Sequence, residues 1–295
     1  GPPEPTSKLL RGPIYLHPLA TLVGGLWTTQ LRKEGMRPNP VKEKLQQGGV
    51  PLGVFAIEFA TPGFMQICKA AGAEFAFIDM EHSGLGINDI KQQMAFARGC
   101  GIAPMVRVPA AQYHFIARVL DAGAMGVMVP MVESAEQARM IVESTQYPPK
   151  GRRGAIFGGS HDDYTGGDIV AKMKAVHERT FVVCQIETER GLENVDAIVG
   201  TEGVDCGWIG HFDLSNFLGV PAQFQSKTFV DARAKVAAAC KKHKKAAGMM
   251  PADVAMAREW RAAGFNIFAF GSDVGLFQHA LSSRIVDFKA TEKLA

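Results

Sequence analysis

A regular alternation of short apolar runs with helical patterns constrains the fold of this chain more than any other feature. From Pro51 onward the runs have strand length, and nearly every one is followed by a segment with helical spacing of its apolar residues. The eight runs lie at residues 52–59, 75–80, 103–108, 126–130, 181–186, 206–209, 246–250 and 266–270. This regularity predicts an α/β fold, a (β/α)8 TIM barrel. A doubly wound open sheet is the alternative, but no GxGxxG motif follows the first run, which weakens a dinucleotide-binding interpretation.

The segments around this alternation complete the predicted domain organisation. Residues 1–40 are punctuated by Pro and Gly and predict an N-terminal arm, so that residues 41–295 form a single catalytic barrel domain. Helices are expected to begin at Thr61-Pro62 and at Pro251. Residues 147–168 predict a long irregular loop, and a loop of that length in a compact domain is usually functional.

Two carboxylates follow successive apolar runs in the middle of the chain. Glu187 ends the run 181–186, and Asp213 lies just beyond the run 206–209. The C-terminal ends of parallel strands share one face, where ligands bind. Two carboxylates brought together there repel each other unless a cation lies between them, and oxygen ligands favour Mg²⁺ or Mn²⁺. The pattern therefore predicts a metal site formed by Glu187 and Asp213.

Further polar residues follow the second and third runs. Asp79, Glu81 and His82 come after the second run, and Arg107 ends the third. A guanidinium binds a carboxylate or an enolate oxygen, and an imidazole moves a proton near neutral pH. Asp121, in the turn before the fourth run, is a candidate to orient that imidazole and equally a helix-terminal turn residue. No run ends in Lys, which argues against a Schiff-base enzyme and favours metal chemistry.

Composition excludes several classes of partner. The net charge of +3 in 295 residues is too small to indicate a nucleic-acid partner. No apolar run approaches the ~20 residues that cross a membrane, and no apolar segment typical of a secretion signal is found near the first residue. The five cysteines are scattered and form no CxxC pair, which indicates reduced thiols. A cytoplasmic protein without a membrane or nucleic-acid partner is expected.

Several linked motifs carry a family resemblance over roughly residues 40–285. They are FIDMEHSGLG (77–86), PMVRVP (104–109), LDAGAMGVMVPMVESAEQAR (120–139), YPPKGRRG (147–154), QIETERGLENV (185–195) and WIGHFDLS (208–215). In these motifs the chain resembles the HpcH/HpaI family of metal-dependent pyruvate aldolases. The resemblance implies a (β/α)8 barrel in which Glu187 and Asp213 bind Mg²⁺, Mn²⁺ or Co²⁺. It further implies that Arg107 binds the keto or enolate oxygen and that His82, paired with Asp121, acts as acid and base.

The same resemblance assigns supporting roles and an assembly. Asp79 and Glu81 would support the metal and substrate ligands, and Gln185 would lie beside the metal. Backbone N–H groups around Phe212 and Asp213 would hold the carboxylate of a pyruvate unit. Members of the family assemble as dimers or hexamers, so a homo-oligomer with its last helix exchanged between subunits is expected.

Three regions depart from the family pattern. The usual Gly-Pro-Ala-Asp around the second ligand is here Gly210-His211-Phe212-Asp213, and the bulkier pair is expected to reshape the substrate pocket or add a polar contact. The segment 155–168 and the N-terminal arm also differ from the simple aldolases. Together these departures resemble a fungal branch of the family that decarboxylates oxaloacetate and couples the resulting enolate to a 2-pyrone.

The chain is therefore expected to be a metal-dependent carbon–carbon lyase that forms a pyruvate enolate from a 2-oxo acid. The donor is a 4-hydroxy-2-oxo acid, cleaved as in an aldolase, or oxaloacetate, which loses CO₂. Coupling of the enolate to a 2-pyrone and a non-catalytic metal-binding barrel are the alternatives. A phosphoenolpyruvate-type lyase has only Gly271-Ser272-Asp273 as a candidate phosphate cradle. The run KKHKK (241–245) indicates a solvated helix end rather than a phosphate site.

Overall fold

The computed structural model describes residues 35–293, which form a closed barrel of eight parallel strands. Each strand pairs with the next along the chain, and the last pairs with the first. The strands are β1 Leu52–Ala56, β2 Phe75–Asp79, β3 Ala103–Arg107, β4 Gly126–Val129, β5 Phe181–Ile186, β6 Cys206–Ile209, β7 Ala246–Met249 and β8 Ile267–Ser272. The predicted TIM barrel is confirmed, and the open-sheet alternative is wrong.

Twelve α-helices accompany the strands in the described part of the chain. They are α1 Pro40–Gln46, α2 Phe64–Ala70, α3 Ile87–Cys100, α4 Tyr113–Ala122, α5 Ala135–Thr145, α6 Ile169–Arg179, α7 Glu189–Glu193, α8 Val195–Gly200, α9 His211–Phe217, α10 Lys227–Lys242, α11 Val254–Ala262 and α12 Asp273–Glu292. The predicted loop 147–168 is irregular apart from one 3-10 turn, Ser160–Asp162. Among these helices, none has the length and hydropathy needed to span a bilayer.

Large aromatic side chains fill the inside of the barrel. The rings of Phe55 and Phe77 stack with their centroids 5.2 Å apart, and the indole of Trp208 meets Phe77 edge-on at 5.5 Å. The neighbouring strand makes room for this indole with a glycine, because a Cβ on Gly248 would lie 2.1 Å from the Trp208 ring. The interior is therefore a packed core, as in other barrels of this type, and not a channel.

Two expected helix starts are wrong. Helix α2 begins at Phe64 rather than at Thr61-Pro62, because the Thr61 carbonyl accepts a hydrogen bond from the Phe64 N–H and closes a turn. Helix α11 begins at Val254, three residues after Pro251, because the Asp253 side chain caps it. An aspartate that accepts a hydrogen bond from the first helical turn is a strong N-cap.

The first described residues are tied to the barrel. The Asn39 side chain accepts a hydrogen bond from the Val41 N–H at the start of α1 and donates to the carbonyls of Met125 and Arg179. The side chain of Val41 is fully buried among the residues inside the barrel, so α1 covers the end at which the strands begin. Most of the predicted N-terminal arm, residues 1–34, lies outside the described residues.

Candidate active site

Asp79 and Arg107 form a buried ion pair where β2 and β3 end. The two residues are register partners in the barrel wall. The guanidinium binds the carboxylate in a bidentate manner, with Nε 2.8 Å from Oδ1 and Nη2 2.5 Å from Oδ2. Asp79 is fully buried and the Arg107 side chain is 11% exposed. The pair therefore holds the guanidinium in one orientation at the C-terminal face of the barrel.

Additional negative charge surrounds the same guanidinium. The Arg107 Nε lies 3.3 Å from Oε2 of Glu81. Burial alone would lower the pKa of Arg107, but the hydrogen bond and charge of Asp79, with the charges of Glu81 and Glu187, outweigh it and raise the pKa. This arginine is therefore a permanent cation within an acidic surrounding.

Glu187 extends from the end of β5 into the middle of this face. Its Oε1 accepts a hydrogen bond of 2.7 Å from the Met131 N–H, and its Oε2 accepts one of 2.5 Å from Nε2 of Gln185. Burial raises its pKa to about 7, and the negative charges of Glu81 and Asp213 contribute. Glu187 is 2% exposed, so its carboxylate is held rigidly with little solvent around it.

Asp213 joins this group from the first turn of α9. Burial is the largest cause of the raised pKa of Glu81, and the charge of Asp213 raises this pKa further. The charge of Arg107 opposes the shift. Oε2 of Glu81 and Oε1 of Gln185 are buried and accept no hydrogen bond. Three mutually repelling carboxylates with unsatisfied oxygens nearby fit a hard divalent cation.

The cation would depend on ligands beyond the protein. Within residues 35–293, no three His, Cys, Asp or Glu side chains converge closely enough to enclose a metal on their own. The donor set expected from the sequence, Glu187 and Asp213, supplies two carboxylates. Such a set leaves coordination positions for water and for a chelating substrate.

His82 lies at the rim of this face, and Asp121 does not lie beside it. The His82 side chain is 59% exposed, with Nε2 3.7 Å from Oε2 of Glu81. Asp121 lies in the last turn of α4, which leads into the beginning of β4, and it pairs with Arg153 at 2.7 Å. A helix that precedes a strand returns to the opposite end of the barrel, so the expected pairing of His82 with Asp121 is not formed within one chain.

The substituted pair His211-Phe212 belongs to a helix that the sequence analysis did not anticipate. Helix α9 begins directly after Gly210 and buries His211 and Leu214. The spacing of three residues between these two side chains is typical of one face of a helix and could have indicated it. Burial lowers the pKa of His211 to about 4, against the opposing charge of Asp213. Phe212 is 56% exposed, with its ring centroid 4.5 Å from that of His211.

Two contributors to the site were missed in the sequence. The ring of Phe55 lies beneath the Arg107 guanidinium, 5.2 Å from its centroid, which is a cation–π contact. Met131 supplies the N–H that holds Glu187, and it adopts a positive φ of 53°. The apolar run of β1, in which Phe55 is the aromatic residue, was a signal for Phe55, but no local pattern indicated Met131.

The candidate phosphate cradle, Gly271-Ser272-Asp273, supplies an anion to the backbone at the end of β1. The Asp273 carboxylate, at the start of α12, accepts hydrogen bonds of 2.7–3.1 Å from the backbone N–H groups of residues 57–59. These donors are therefore satisfied by an internal anion. The segment Gly271-Ser272-Asp273 joins α12 to the end of β1 and offers no support for a phosphoenolpyruvate-type lyase.

A closed barrel with acidic side chains at the C-terminal ends of its strands defines the class of (β/α)8 enzymes. The family model described as HpcH/HpaI aldolase/citrate lyase matches residues 52–280. The chain is 33% identical over 264 residues to 2-keto-3-deoxy-L-rhamnonate aldolase of Salmonella gallinarum, covering 87% of this chain and 96% of the relative. The chain belongs to the HpcH/HpaI aldolase/citrate lyase family, and it is a carbon–carbon lyase.

Solved structures agree with this assignment. An HpcH/HpaI aldolase from Desulfitobacterium hafniense matches with a TM-score of 0.81 and 28% identity, covering 84% of this chain and 96% of that one. Macrophomate synthase matches with a TM-score of 0.74 and 22% identity, covering 85% and 88%. At this identity the likeness to macrophomate synthase shows a common fold alone.

Proposed function

We propose that this lyase uses a divalent metal ion to form a pyruvate enolate from a 2-oxo acid. The donor is a 4-hydroxy-2-oxo acid in aldol cleavage or oxaloacetate in decarboxylation. The observation that carries the proposal is the group of carboxylates, Glu81, Glu187 and Asp213, beside the buried cation of Arg107. The curated relative's name, which specifies a 2-keto acid, supports the donor class.

Each side chain has a defined task in this proposal. Glu187 and Asp213 hold the ion, and oxygen ligands favour Mg²⁺ while also suiting Mn²⁺ or Co²⁺. When bound, the ion supplies Lewis-acid stabilisation of charge on the keto oxygen. Arg107, oriented by Asp79, donates hydrogen bonds to the same oxygen. Gln185 keeps Glu187 in place through its amide N–H group.

The substrate carboxylate and the pocket beyond it involve the start of α9. Backbone N–H groups around Phe212 and Asp213 are proposed to hold the carboxylate of the 2-oxo acid. His211 is buried and its lowered pKa keeps its imidazole neutral near pH 7, so it contributes a polar wall without a charge. The exposed ring of Phe212 favours a second candidate function, in which the enolate is coupled to a planar 2-pyrone.

Removal of the metal ligand tests the proposal directly. We expect Glu187→Ala, and incubation of the unaltered protein with EDTA, to abolish release of pyruvate from oxaloacetate, measured by coupling to lactate dehydrogenase. Glu178→Ala is the matched control, because Glu178 is an exposed glutamate on α6. Full turnover in excess EDTA would exclude the metal mechanism, and absence of pyruvate from the metal-loaded protein would favour a non-catalytic barrel.

His82 is proposed to take the proton of the 4-hydroxyl group during aldol cleavage. Decarboxylation needs no such base, so the two activities separate in His82→Ala. Aldol cleavage should fall by about 10²–10⁴-fold, the usual contribution of a general base, while oxaloacetate decarboxylation persists. Survival of aldol cleavage together with loss of decarboxylation would contradict this role.

Asp121 is proposed to orient His82 across a subunit interface. The two side chains are 38% and 59% exposed and lie towards opposite ends of one barrel, so only a neighbouring subunit can bring them together. Mixing His82→Ala with Asp121→Ala protein, each impaired in aldol cleavage, under conditions of subunit exchange should then restore part of the aldolase activity. Mixtures that stay inactive after proven exchange would remove Asp121 from the site.

A further inference from the structure

The basic run at the end of α10 does not act as one uniform solvated surface. Nζ of Lys242 lies 2.8 Å from Asp196 of α8, and Nε2 of His243 lies 3.0 Å from the same carboxylate. Lys241, Lys244 and Lys245 instead line a separate groove, and no carboxylate within residues 35–293 forms an ion pair with them. Three lysines are thus directed to a different surface from their two neighbours.

This groove lies at the end of the barrel opposite to Glu187. It runs between α1, α10 and α11 and reaches the first residues of β5 and β7, Phe181 and Ala246. Its volume is about 860 Å³. The groove is wide because many residues of its walls are small, namely Ala234, Ala237, Ala238, Ala262, Ala263 and Gly264. A small organic molecule would fit between the helices without displacing a large side chain.

The charge of the groove is unbalanced. Lys42 and Arg233 also line it, but Lys42 pairs with Asp205 at 3.0 Å and Arg233 pairs with Glu259 at 2.5 Å. In the described chain, Asp205 is the only acidic residue of the lining. The three remaining lysines leave an excess positive charge around a cavity, which attracts an anion.

We propose that the groove is a second ligand site, which binds a small organic molecule carrying a diphosphate or triphosphate group. Flexible ammonium groups suit phosphate oxygens as point charges, and the alanine-lined walls receive the organic part. The site lies outside the catalytic face and does not depend on the metal. Its existence is therefore independent of the function proposed above.

The backbone conformation of Lys244 allows the charge of the groove to be reduced without destabilising the protein. Its φ of 56° lies in the left-handed region at the end of α10, where glycine is the favoured residue. Lys244→Gly therefore removes a charge and relieves the backbone, so the variant should fold at least as well as the parent. We combine it with Lys241→Gln and Lys245→Gln. The control protein carries Lys69→Gln on α2, Lys174→Gln on α6 and Lys227→Gln at the first residue of α10, which change the net charge equally at lysines that do not line the groove.

Calorimetric titration with ADP in the presence of EDTA tests the site on the full chain. We expect saturable binding of one ADP per chain, weakened about tenfold or more in the groove variant and unchanged in the control protein. Adenosine, which lacks phosphates, should bind at least about tenfold more weakly than ADP. The proposal would be overturned if the groove variant and the control protein lost ADP affinity equally. Equal affinity of the parent for adenosine and ADP, or the absence of saturable ADP binding, would also overturn it. Oxaloacetate decarboxylation without ADP should be the same in all three proteins.

Discussion

The absence of a side chain at Gly210 leaves space for the carboxylate of Glu187. Gly210 follows β6 and faces Glu187, and a Cβ at Gly210 would lie 2.2 Å from Oε2 of Glu187 and 2.7 Å from Nε2 of Gln185. The backbone of Gly210 has a φ of −81°, which any residue adopts, so the need for glycine is steric. The geometry of the proposed metal ligand thus depends on a residue that has no chemistry of its own.

Gly210→Ala should therefore damage the site without preventing folding. The added methyl group displaces the Glu187 carboxylate, and we expect pyruvate release from oxaloacetate to fall by about 10²-fold, as when a reacting group is misplaced by about 1 Å. Gly99→Ala is the control, because Gly99 lies within α3 with no atom near its added Cβ. Its activity should be unchanged, and its stability should rise by roughly 0.5–1 kcal/mol. Equal activity of both variants would show that Glu187 has room to move.

At the scale of elements, the loop 147–168 is held by ion pairs rather than by regular structure. The Asp163 carboxylate binds Arg37 at 3.1 Å, Arg98 at 3.2 Å and Arg179 at 2.7 Å, which joins the loop to the chain before α1, to α3 and to α6. The Asp163 side chain is 9% exposed. Burial alone would raise the pKa of Asp163, but Arg179 and Arg37 outweigh it and lower the pKa to about 2.

Asp163→Asn should consequently reduce stability in a pH-dependent manner. A lowered folded-state pKa stabilises the protein above the usual value of 3.8, and this contribution disappears as the pH falls towards about 2. The lowering of the Asp163 pKa corresponds to about 2 kcal/mol of folding free energy at pH 7. The urea unfolding curves of the variant and the parent should therefore be clearly separated at this pH. Asparagine tolerates the φ of 57° at this position, so the backbone is not a cause.

The difference in the free energy of unfolding between Asp163→Asn and the parent protein should narrow steadily between about pH 4 and pH 2. Asp231→Asn provides the comparison, because Asp231 pairs with Lys227 on the exposed surface of α10 and should contribute less than about 1 kcal/mol. A stability difference for Asp163→Asn that stays constant down to pH 2 would show that lost packing, rather than lost charge, is the cause.

At the scale of the whole molecule, the last helix leaves a large apolar surface uncovered. Six apolar side chains of α12 are 47–62% exposed: Leu276, Phe277, Leu281, Ile285, Val286 and Phe288. An apolar groove beside its first turns is lined by residues of β1, β8 and α2, including Phe64 and Ile67, and by Phe59 of the loop after β1. Exposed patches of this kind mark interfaces. We propose that a second copy of the chain covers them, through exchange of α12 between subunits.

Charges placed on this helix should weaken the assembly. For Leu281→Glu combined with Ile285→Glu we expect a smaller particle than the parent in size-exclusion chromatography with light scattering, because two carboxylates would be buried at the interface. Ile169→Glu combined with Val170→Glu, at two exposed apolar residues of α6, should leave the particle unchanged. A monomeric parent protein, or equal effects of both substitutions, would contradict the proposed interface.

The sequence by itself determined the barrel and the acidic residues of its C-terminal face. The alternation of strand and helix periods is local, and parallel strands must all end on one face, so Glu187 could be assigned to the same face as Asp79 and Arg107 without coordinates. The helix starts at Thr61 and Pro251 were wrong because a competing turn and a better cap lay within three residues of each.

Only the tertiary structure decided which groups actually meet. The Met131 N–H holds a carboxylate 56 residues away, Asp121 lies towards the opposite end of the barrel from His82, and the lysines of one short run separate onto two surfaces. No periodicity encodes such contacts, because they depend on the positions of distant elements after packing. Local sequence patterns specify the elements and the ends that carry polar residues, whereas the pairing of those residues is set by the closed barrel.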